Sequence, residues 1–447
     1  MAYLPNSDRD RRTMLEHMGI GSVEELFELI PESVRATAQP DIPGPLTEME
    51  LVSRARALAA ENRTLEELVC FAGGGVYDRF IPAIVQSVIS IPELLTPYTP
   101  YQAEASQGTL QAMFEYQTMI CELTAMDVAN ASLYDAATGL GEAALMASSI
   151  TGRDRALVSA ALSPAARRTT RTYCEAAGVT VAEVPYSGES GRMDLDALKD
   201  ALDEDVACVC LQQPSYFGVI EEMAAAAELA HAAGALFVAS VEPISLALLT
   251  PPGQYEADIV VGEGQPLGLP PGFGGPLLGI FACRERFLRS MPGRVVGRTV
   301  DAEGALAYCL TLQTREQHIR RGRATSNICT NQGLCALAAC VYLAALGPEG
   351  LREVALLSAQ SAHYLRELID SSAAPGRPRF SGDFVNEFAV QLHRPADEAV
   401  RELCERGYLV GPALGREYPE LEDCLLLAVT ERRTRAEIEA LVEVAGL

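Results

Sequence analysis

Lysine is almost absent from this chain. Of 35 basic residues in 447, one is lysine, Lys199, and the others are arginine. Chemistry that needs a nucleophilic amine must therefore use Lys199 or a partner's lysine. Histidine is also scarce: His17, His231, His318, His363 and His393 stand far apart and form no H-x-x-x-H pair, which argues against a zinc site. The twelve cysteines contain no C-x-x-C pair and lie mostly in apolar runs, as buried reduced thiols do. No run reaches about 18 consecutive apolar residues, so no membrane-spanning helix is expected. The first twelve residues are polar and lack the apolar core of a secretory signal. Basic charge is outweighed: the net charge of −25 argues against nucleic-acid and anionic-membrane binding. These absences together describe a cytoplasmic-type soluble protein.

What is present is a globular composition, 49% apolar and 21% charged. The length suggests several domains or one large α/β body with appendages. Three parts are expected: a helical N-terminal and interface segment at 1–129, a large α/β domain at 130–330 and a small α/β domain at 331–447. In the first, Val23, Leu26, Phe27 and Ile30 follow a helical period that Pro31 stops. A Pro-rich connector at 40–45 precedes a second helix over about 48–58. The Gly73-Gly74-Gly75 loop, an ordered Tyr/Pro stretch at 96–102 and a long helix over about 107–126 follow.

From residue 130 short apolar runs alternate with helical stretches. The runs at 156–158, 179–181, 206–211, 235–238, 258–261 and 277–281 are separated by helices at about 164–177, 195–202 and 221–233. Continuous apolar strands with intervening helices mean a mostly parallel sheet covered on both faces. Residues 301–345 read as helical and include the basic segment 315–327. A smaller unit follows, with a helix over 350–370, a strand at 387–392, a helix over 396–406, a strand at 425–429 and a final helix over 434–444.

Ligands of such sheets sit at the carboxyl ends of the strands. The turn at 137–142, leading into a helix, has the small residues of an anion cradle or of a tight helix entry. Glu242, after the run at 235–238, is a carboxylate at a strand end. A long Gly/Pro loop at 263–276 is expected to be a functional surface. The segment 315–327 reads equally as an anion-binding patch or a salt-bridged surface helix.

Four strings carry a resemblance: AGGGVYDRFIP (72–82), YTPYQAEASQGTLQAMFEYQTMICELTAMDVANASLYDAAT (98–138), DIVVGEGQPLGLPPGFGGPLLG (258–279) and TREQHIRRGRATSNICTNQ (314–332). They are similar to the glycine cleavage system P-protein, and within it to the α subunit of the two-subunit bacterial form. The resemblance runs from near residue 3 to near the end. It implies the aspartate-aminotransferase-like fold of type I pyridoxal phosphate (PLP) enzymes. It also implies PLP-dependent decarboxylation of glycine, with the aminomethyl group passed to the lipoyl arm of the H-protein.

The family's PLP-carrying subunit holds the cofactor on a lysine after a strand matching Ala257-Asp258-Ile259-Val260. Here Gln265-Pro266 stands in that place, and proline cannot form the Schiff base. Lys199 lies on the polar face of a short helix beside Asp196 and Asp200. Ser163-Pro164 replaces the family's frequent His-Pro, and Glu242 stands where an aspartate is usual. The resemblance therefore implies a chain that does not hold PLP in its own pocket and works with a lysine-bearing β subunit, as αβ or α2β2. Tyr77, Tyr98, Tyr101, Gln102, Thr325, Ser326 and Asn327 are the candidates for reaching the partner's site. The tyrosines and amides would orient the glycine carboxylate, and Thr325 and Ser326 would donate to the PLP phosphate; alternatively these residues pack the interface. A catalytically silent scaffold and a self-sufficient PLP enzyme remain as other readings, the second opposed by Pro266 and the single lysine. No metal site is expected.

Overall fold

The computed structural model describes residues 6–37, 41–95, 98–272 and 274–447. Pro40 of the connector, Thr96-Pro97 of the Tyr/Pro stretch and Phe273 of the Gly/Pro loop lie outside them. The chain divides into two compact units, Met1–Arg63 and Thr64–Leu447.

The first unit contains α1 (Asp8–Met18), α2 (Glu32–Thr37) and α3 (Glu48–Ala59). Two of these begin with reciprocal caps, Ser7 with Asp10 and Thr47 with Glu50. Each such cap contributes about 1 kcal/mol. The helix expected through Ile30 shrinks to a 3-10 turn, Glu24–Phe27. Glu25 there accepts the backbone N–H groups of Gly21 and Ser22 at 2.9 and 3.0 Å.

The second unit opens with β1 (Val69–Ala72), α4 (Ala83–Ile89), α5 (Gln107–Thr124) and β2 (Val128–Ala129). An alternating series follows: α6 (Ala136–Thr151), β3 (Arg155–Ser159), α7 (Pro164–Ala176), β4 (Thr180–Val184), α8 (Leu195–Ala201), β5 (Val206–Gln213), α9 (Met223–Ala232) and β6 (Leu236–Val241). Then come β7 (Ile259–Glu263) and β8 (Gly279–Cys283). Seven strands form one sheet in the order β2-β8-β7-β6-β5-β3-β4. The run from β7 to β4 is parallel, while β8 is antiparallel to both its neighbours.

The apolar strands are continuous because both faces are covered. Leu157, Val209, Leu211, Phe237 and Val260 point into one core. Their neighbours Val158, Cys208, Cys210, Val238 and Val261 point into the other, under α6 and α7. Burying each large aliphatic side chain contributes roughly 1.5–3 kcal/mol.

Past the sheet, the helical reading of 301–345 is corrected. β9 (Val295–Val300) and β10 (Leu306–Thr311) form an antiparallel hairpin pairing Val300 with Leu306 and Val295 with Thr311. The β-branched residues of β9 and the turn at Asp301 and Gly304, where Gly304 has φ 83°, favour the hairpin. α10 (Gln317–Arg320) is one turn long, and α11 (Gly333–Ser371) is the longest helix among the described residues. α11 is long and apolar enough by composition to cross a membrane. However, it breaks at Gly347, with φ 61° and ψ −177°, just before Pro348. Ala338 and Tyr342 of its first half pack in the main core, and Ala362, Leu365 and Ile369 of its second half pack in the small one.

The last elements are β11 (Arg377–Pro378), β12 (Glu387–Gln391), α12 (Ala396–Glu405), β13 (Tyr408–Gly411), β14 (Cys424–Ala428) and α13 (Arg435–Ala445). β11, β12 and β14 make a three-stranded antiparallel sheet. β13 pairs instead with β1 in parallel, Val69 opposite Tyr408 and Ala72 opposite Gly411. This pairing, with α5 lying on α11, joins residues 64–129 to the remainder of the second unit. The first division of the chain thus falls after Arg63, earlier than the boundary at 129 read from the sequence.

Candidate functional site

A cleft of about 390 Å³ opens at the carboxyl ends of β5, β6 and β7, where a parallel sheet is expected to bind ligands. The first turn of α6, the Gly74–Tyr77 loop, Glu242, Glu263 and Glu387 all contribute to its wall. Its character is set by carboxylates.

Two side-chain carboxylates accept from the turn into α6. Asp135 caps the helix, accepting the Thr138 N–H at 2.8 Å, and Glu263 accepts that of Ala136 at 3.2 Å. Glu263, at the end of β7, also takes the N–H groups of Gln265 and Leu278, at 3.0 and 2.8 Å. It thereby pins the start of the Gly/Pro loop. Burial pushes its carboxyl up to about 7 despite these three donors.

On the opposite wall, Glu387 accepts the Gly74 N–H at 2.6 Å and the Tyr77 hydroxyl at 2.9 Å. Gly73 makes this approach possible: a Cβ there would lie 1.8 Å from Glu387 Oε1. Burial raises the Glu387 carboxyl to about 7, and burial with the nearby Glu387 charge pushes the Tyr77 hydroxyl well up.

Glu242 turns back into its own loop, accepting the Ser245 N–H at 2.6 Å, with Arg79 at 3.8 Å. Arg79 is 3% exposed and donates to Glu431 at 2.9 Å and Ser358 at 3.1 Å. Burial raises Glu242, opposed by Arg79 and by backbone donors.

These residues do not fit PLP. A phosphate seeks free N–H donors and positive charge at a helix N-terminus. Here Asp135 and Glu263 occupy that position. No lysine faces the cleft: Lys199 is exposed on α8, and Pro266 is buried. The preceding Gln265 is fully buried and spent on structure, with its amide exchanging hydrogen bonds with the Tyr77 backbone at 2.9 and 3.1 Å and donating to Leu269 at 2.7 Å.

The residues singled out for a partner's site separate into two groups. Tyr77 is corrected: it is 5% exposed and faces this chain's own cleft, held by Glu387 and Gln265. The others lie elsewhere. Tyr98 is 80% exposed, Tyr101 half exposed, and Gln102, Thr325 and Asn327 exposed. Tyr101 borders a second depression, of about 400 Å³, with Gln317, His318, Arg321 and Cys329. Its ring meets His318 edge-on at 5.9 Å, and Gln317 reaches Asn327 at 3.4 Å. Ser326 is half-buried, accepts the Ile328 N–H and donates to Glu142 of α6. In the basic segment, Arg315 turns inward to the Gly293 carbonyl at 2.6 Å, while Arg320, Arg321 and Arg323 are exposed.

Four residues organise these sites without having been singled out. Arg294, 3% exposed, lies beneath the second depression and donates to the Tyr101 hydroxyl at 3.3 Å, to Asn331 at 3.4 Å and to the Cys329 carbonyl. Arg79, Glu263 and Glu387 order the cleft. The sequence signals for them are slight: a charged residue two positions after Tyr77, a glutamate closing one apolar run and a glutamate opening another.

Fold and cleft together define a type I PLP-enzyme scaffold with no lysine on the cleft wall. The solved structures agree on the scaffold. A sphingosine-1-phosphate lyase of Burkholderia pseudomallei superposes with a TM-score of 0.65 at 17% identity, over 93% of this chain and 94% of that one. An inhibitor-bound glycine decarboxylase, the P-protein of the glycine cleavage system, superposes with a TM-score of 0.93 at 45% identity, over 100% of this chain and 99% of that one.

The sequence profile of the glycine cleavage system P-protein matches residues 1–445, and the chain belongs to that family. It is 49% identical over 444 residues to a probable glycine dehydrogenase (decarboxylating) subunit 1 of Anoxybacillus flavithermus, covering 99% of this chain and 98% of the relative. The protein of the same description from Moorella thermoacetica is 50% identical over 443 residues, with the same coverage.

Proposed function

We propose that this chain is the α subunit, without a Schiff-base lysine, of a two-subunit glycine decarboxylase. It acts in the cytoplasm with a β subunit whose lysine holds PLP. The pair releases CO2 from glycine and passes the aminomethyl group to the lipoyl arm of the H-protein. What supports this reading is the full-length family match together with a cleft that no lysine lines, in which Asp135 and Glu263 accept from the N-terminal turn of α6.

The chain then contributes surface in place of cofactor chemistry. Tyr98, Tyr101, Gln102, Thr325 and Asn327 are the groups for the partner's site, the tyrosines and amides orienting the glycine carboxylate and Thr325 donating to the partner-held phosphate. Arg294 fixes the Tyr101 hydroxyl and the Cys329 backbone, so this surface is rigid before the partner arrives. Ser326 serves more as an anchor of this segment, through Glu142. The N-terminal unit supports a stable heteromer: Leu29 is 96% and Met49 80% exposed, and such apolar surface is costly unless covered. Two-fold pairing of αβ units is the assembly proposed.

The test is glycine decarboxylation with PLP and lipoylated H-protein, assayed with this chain alone, the β chain alone and both together. Activity only in the mixture, with the cofactor's visible absorbance on the β chain, is expected. Activity of this chain alone overturns the reading, and full activity of the β chain alone reduces this chain to a scaffold.

A further inference from the structure

The segment 315–323 is a basic island on an acidic chain. No aspartate or glutamate stands between Glu316 and Glu349, although 60 of the 447 residues are acidic. Glu316 itself is withdrawn: its side chain is 10% exposed, 3.9 Å from Arg294 and 3.5 Å from His318. What remains outward is the stretch from Gln317 to Arg323, exposed throughout. Among the described residues no ion pair involves Arg320, Arg321 or Arg323. Arg320 Nε donates to the Thr314 carbonyl at 3.3 Å, which leaves its charge unneutralised. Other exposed arginines, Arg168 and Arg416 among them, are paired with Glu417 and Asp397. A salt-bridged surface helix is therefore not what this segment forms. Its surroundings are those of a protein-binding patch. Arg321 lines the depression beside Tyr101, and Ile319 is 51% exposed. Arginine and tyrosine beside apolar surface at a concavity are the side chains enriched where proteins meet. Arg321 also holds φ 54° and ψ −130°, a backbone conformation that residues with a side chain rarely adopt and that gathers at ligand-facing positions.

We propose that Arg320, Arg321 and Arg323 dock an acidic face of the carrier protein that brings the lipoyl arm. The inference rests on the reading of this chain as a glycine decarboxylase subunit that borders its partner's site at Tyr101. A subunit that stays bound gains most from buried apolar contact. A carrier arrives and leaves in every turnover, which favours exposed charge: it speeds encounter and adds little residence time. The net charge of −25 repels an acidic carrier over most of this chain. A basic island then selects one approach, at the rim of the depression where the arm is needed.

The test is glycine decarboxylation by the assembled pair, this chain with the β chain, against H-protein concentration at several ionic strengths. KM for H-protein is expected to rise several-fold between about 20 and 300 mM salt, as screening shortens the reach of the arginines. Arg320→Glu with Arg323→Glu is expected to raise it roughly tenfold at low salt, while kcat at saturating H-protein and KM for glycine stay within about twofold. Arg320→Lys with Arg323→Lys keeps the charge and should keep the wild-type value. Gel filtration with the β chain checks that each variant assembles. A salt-independent KM for H-protein in the wild-type pair overturns the proposal and needs no variant. An unchanged KM in the assembled charge-reversed pair overturns it too. Loss of assembly in a folded charge-reversed chain does the same, because the island would then belong to the subunit interface. A wild-type pair that assembles but releases no CO2 refutes the underlying reading, and the docking with it.

Discussion

Glu387→Gln is the substitution whose outcome the cleft determines most directly. The carboxyl is 5% exposed and ionises near 7 in the folded chain, against 4.5 for an ordinary glutamate. Above pH 4.5 the unfolded chain gives up the proton while the folded chain keeps it. Stability therefore falls as pH rises from 4.5 to about 7, and the full cost is present above that. Moving the carboxyl this far corresponds to about 3 kcal/mol. Glutamine has nearly the same shape, still accepts the Gly74 N–H, and donates to the Tyr77 oxygen in place of accepting from it. The variant is expected to be more stable than wild type by about 1–3 kcal/mol at pH 8, the loss of charge-assisted bonding offsetting part of the gain. At pH 5 both side chains are neutral and the difference should shrink below about 1 kcal/mol. Urea unfolding followed by far-UV circular dichroism at pH 5, 6, 7 and 8 reads this as a midpoint gap that widens with pH; the chain has no tryptophan to report on folding. Glu263 contributes equally to both proteins and cancels. A variant less stable than wild type at pH 8, or a gap independent of pH, would refute the assignment of Glu387 as a buried carboxyl held near neutrality.

Arg79→Met should destabilise the chain by about 3–5 kcal/mol, because Glu242 and Glu431 lose their shared guanidinium in a buried setting. Adding Glu431→Gln should restore part of that loss, and urea midpoints of the single and double variants check the coupling. Cys329 is the exposed one of the twelve thiols and borders the depression beside Tyr101. A maleimide should therefore label it first in the isolated chain, and the β subunit should protect it; peptide mapping reads the site, and undiminished labelling in the complex places the interface elsewhere.

The sequence reading succeeded where structure is local. Alternation of apolar runs with helical stretches placed the strands from β3 to β8 within a few residues, since all but the edge strand β4 are buried along most of their length. The lone lysine was legible as a surface residue from Asp196 and Asp200 beside it. The hairpin β9–β10 was missed because its second strand, LAYCLT, is apolar without strict alternation. Tyr77 was misplaced for a different reason. Its partner Glu387 lies 310 residues away and meets it only because β1 pairs with β13 of the small sheet. Gly73, Tyr77, Arg79, Glu242 and Glu431 come together through that same long-range pairing, which no window of sequence contains. The absence of a lysine was readable, but the carboxylates filling the helix N-terminus required the fold, because Ala136 and Glu263 are 127 residues apart.

This distance also determines what restoring the lysine would do. Pro266→Lys puts an amine at the position that the family resemblance assigns to the Schiff base, and on a merely lysine-depleted pocket it would be enough to capture PLP. The present cleft resists for three separate reasons. Asp135 and Glu263 hold two of the α6 N–H donors and set negative charge at the helix N-terminus, where a phosphate would seek the opposite. Glu242 is committed to the Ser245 N–H. The residue at 266 is buried beside the fully buried Gln265, so the amine itself enters an apolar setting that lowers its pKa. Pro266→Lys alone is therefore expected to retain no cofactor absorbance after incubation with PLP and gel filtration, and Glu263→Gln added to it should still fail while Asp135 caps the helix. A single Pro266→Lys chain that takes up PLP stoichiometrically would mean that the loss of the lysine alone had silenced the pocket, and that the carboxylates at the helix N-terminus are no barrier to phosphate.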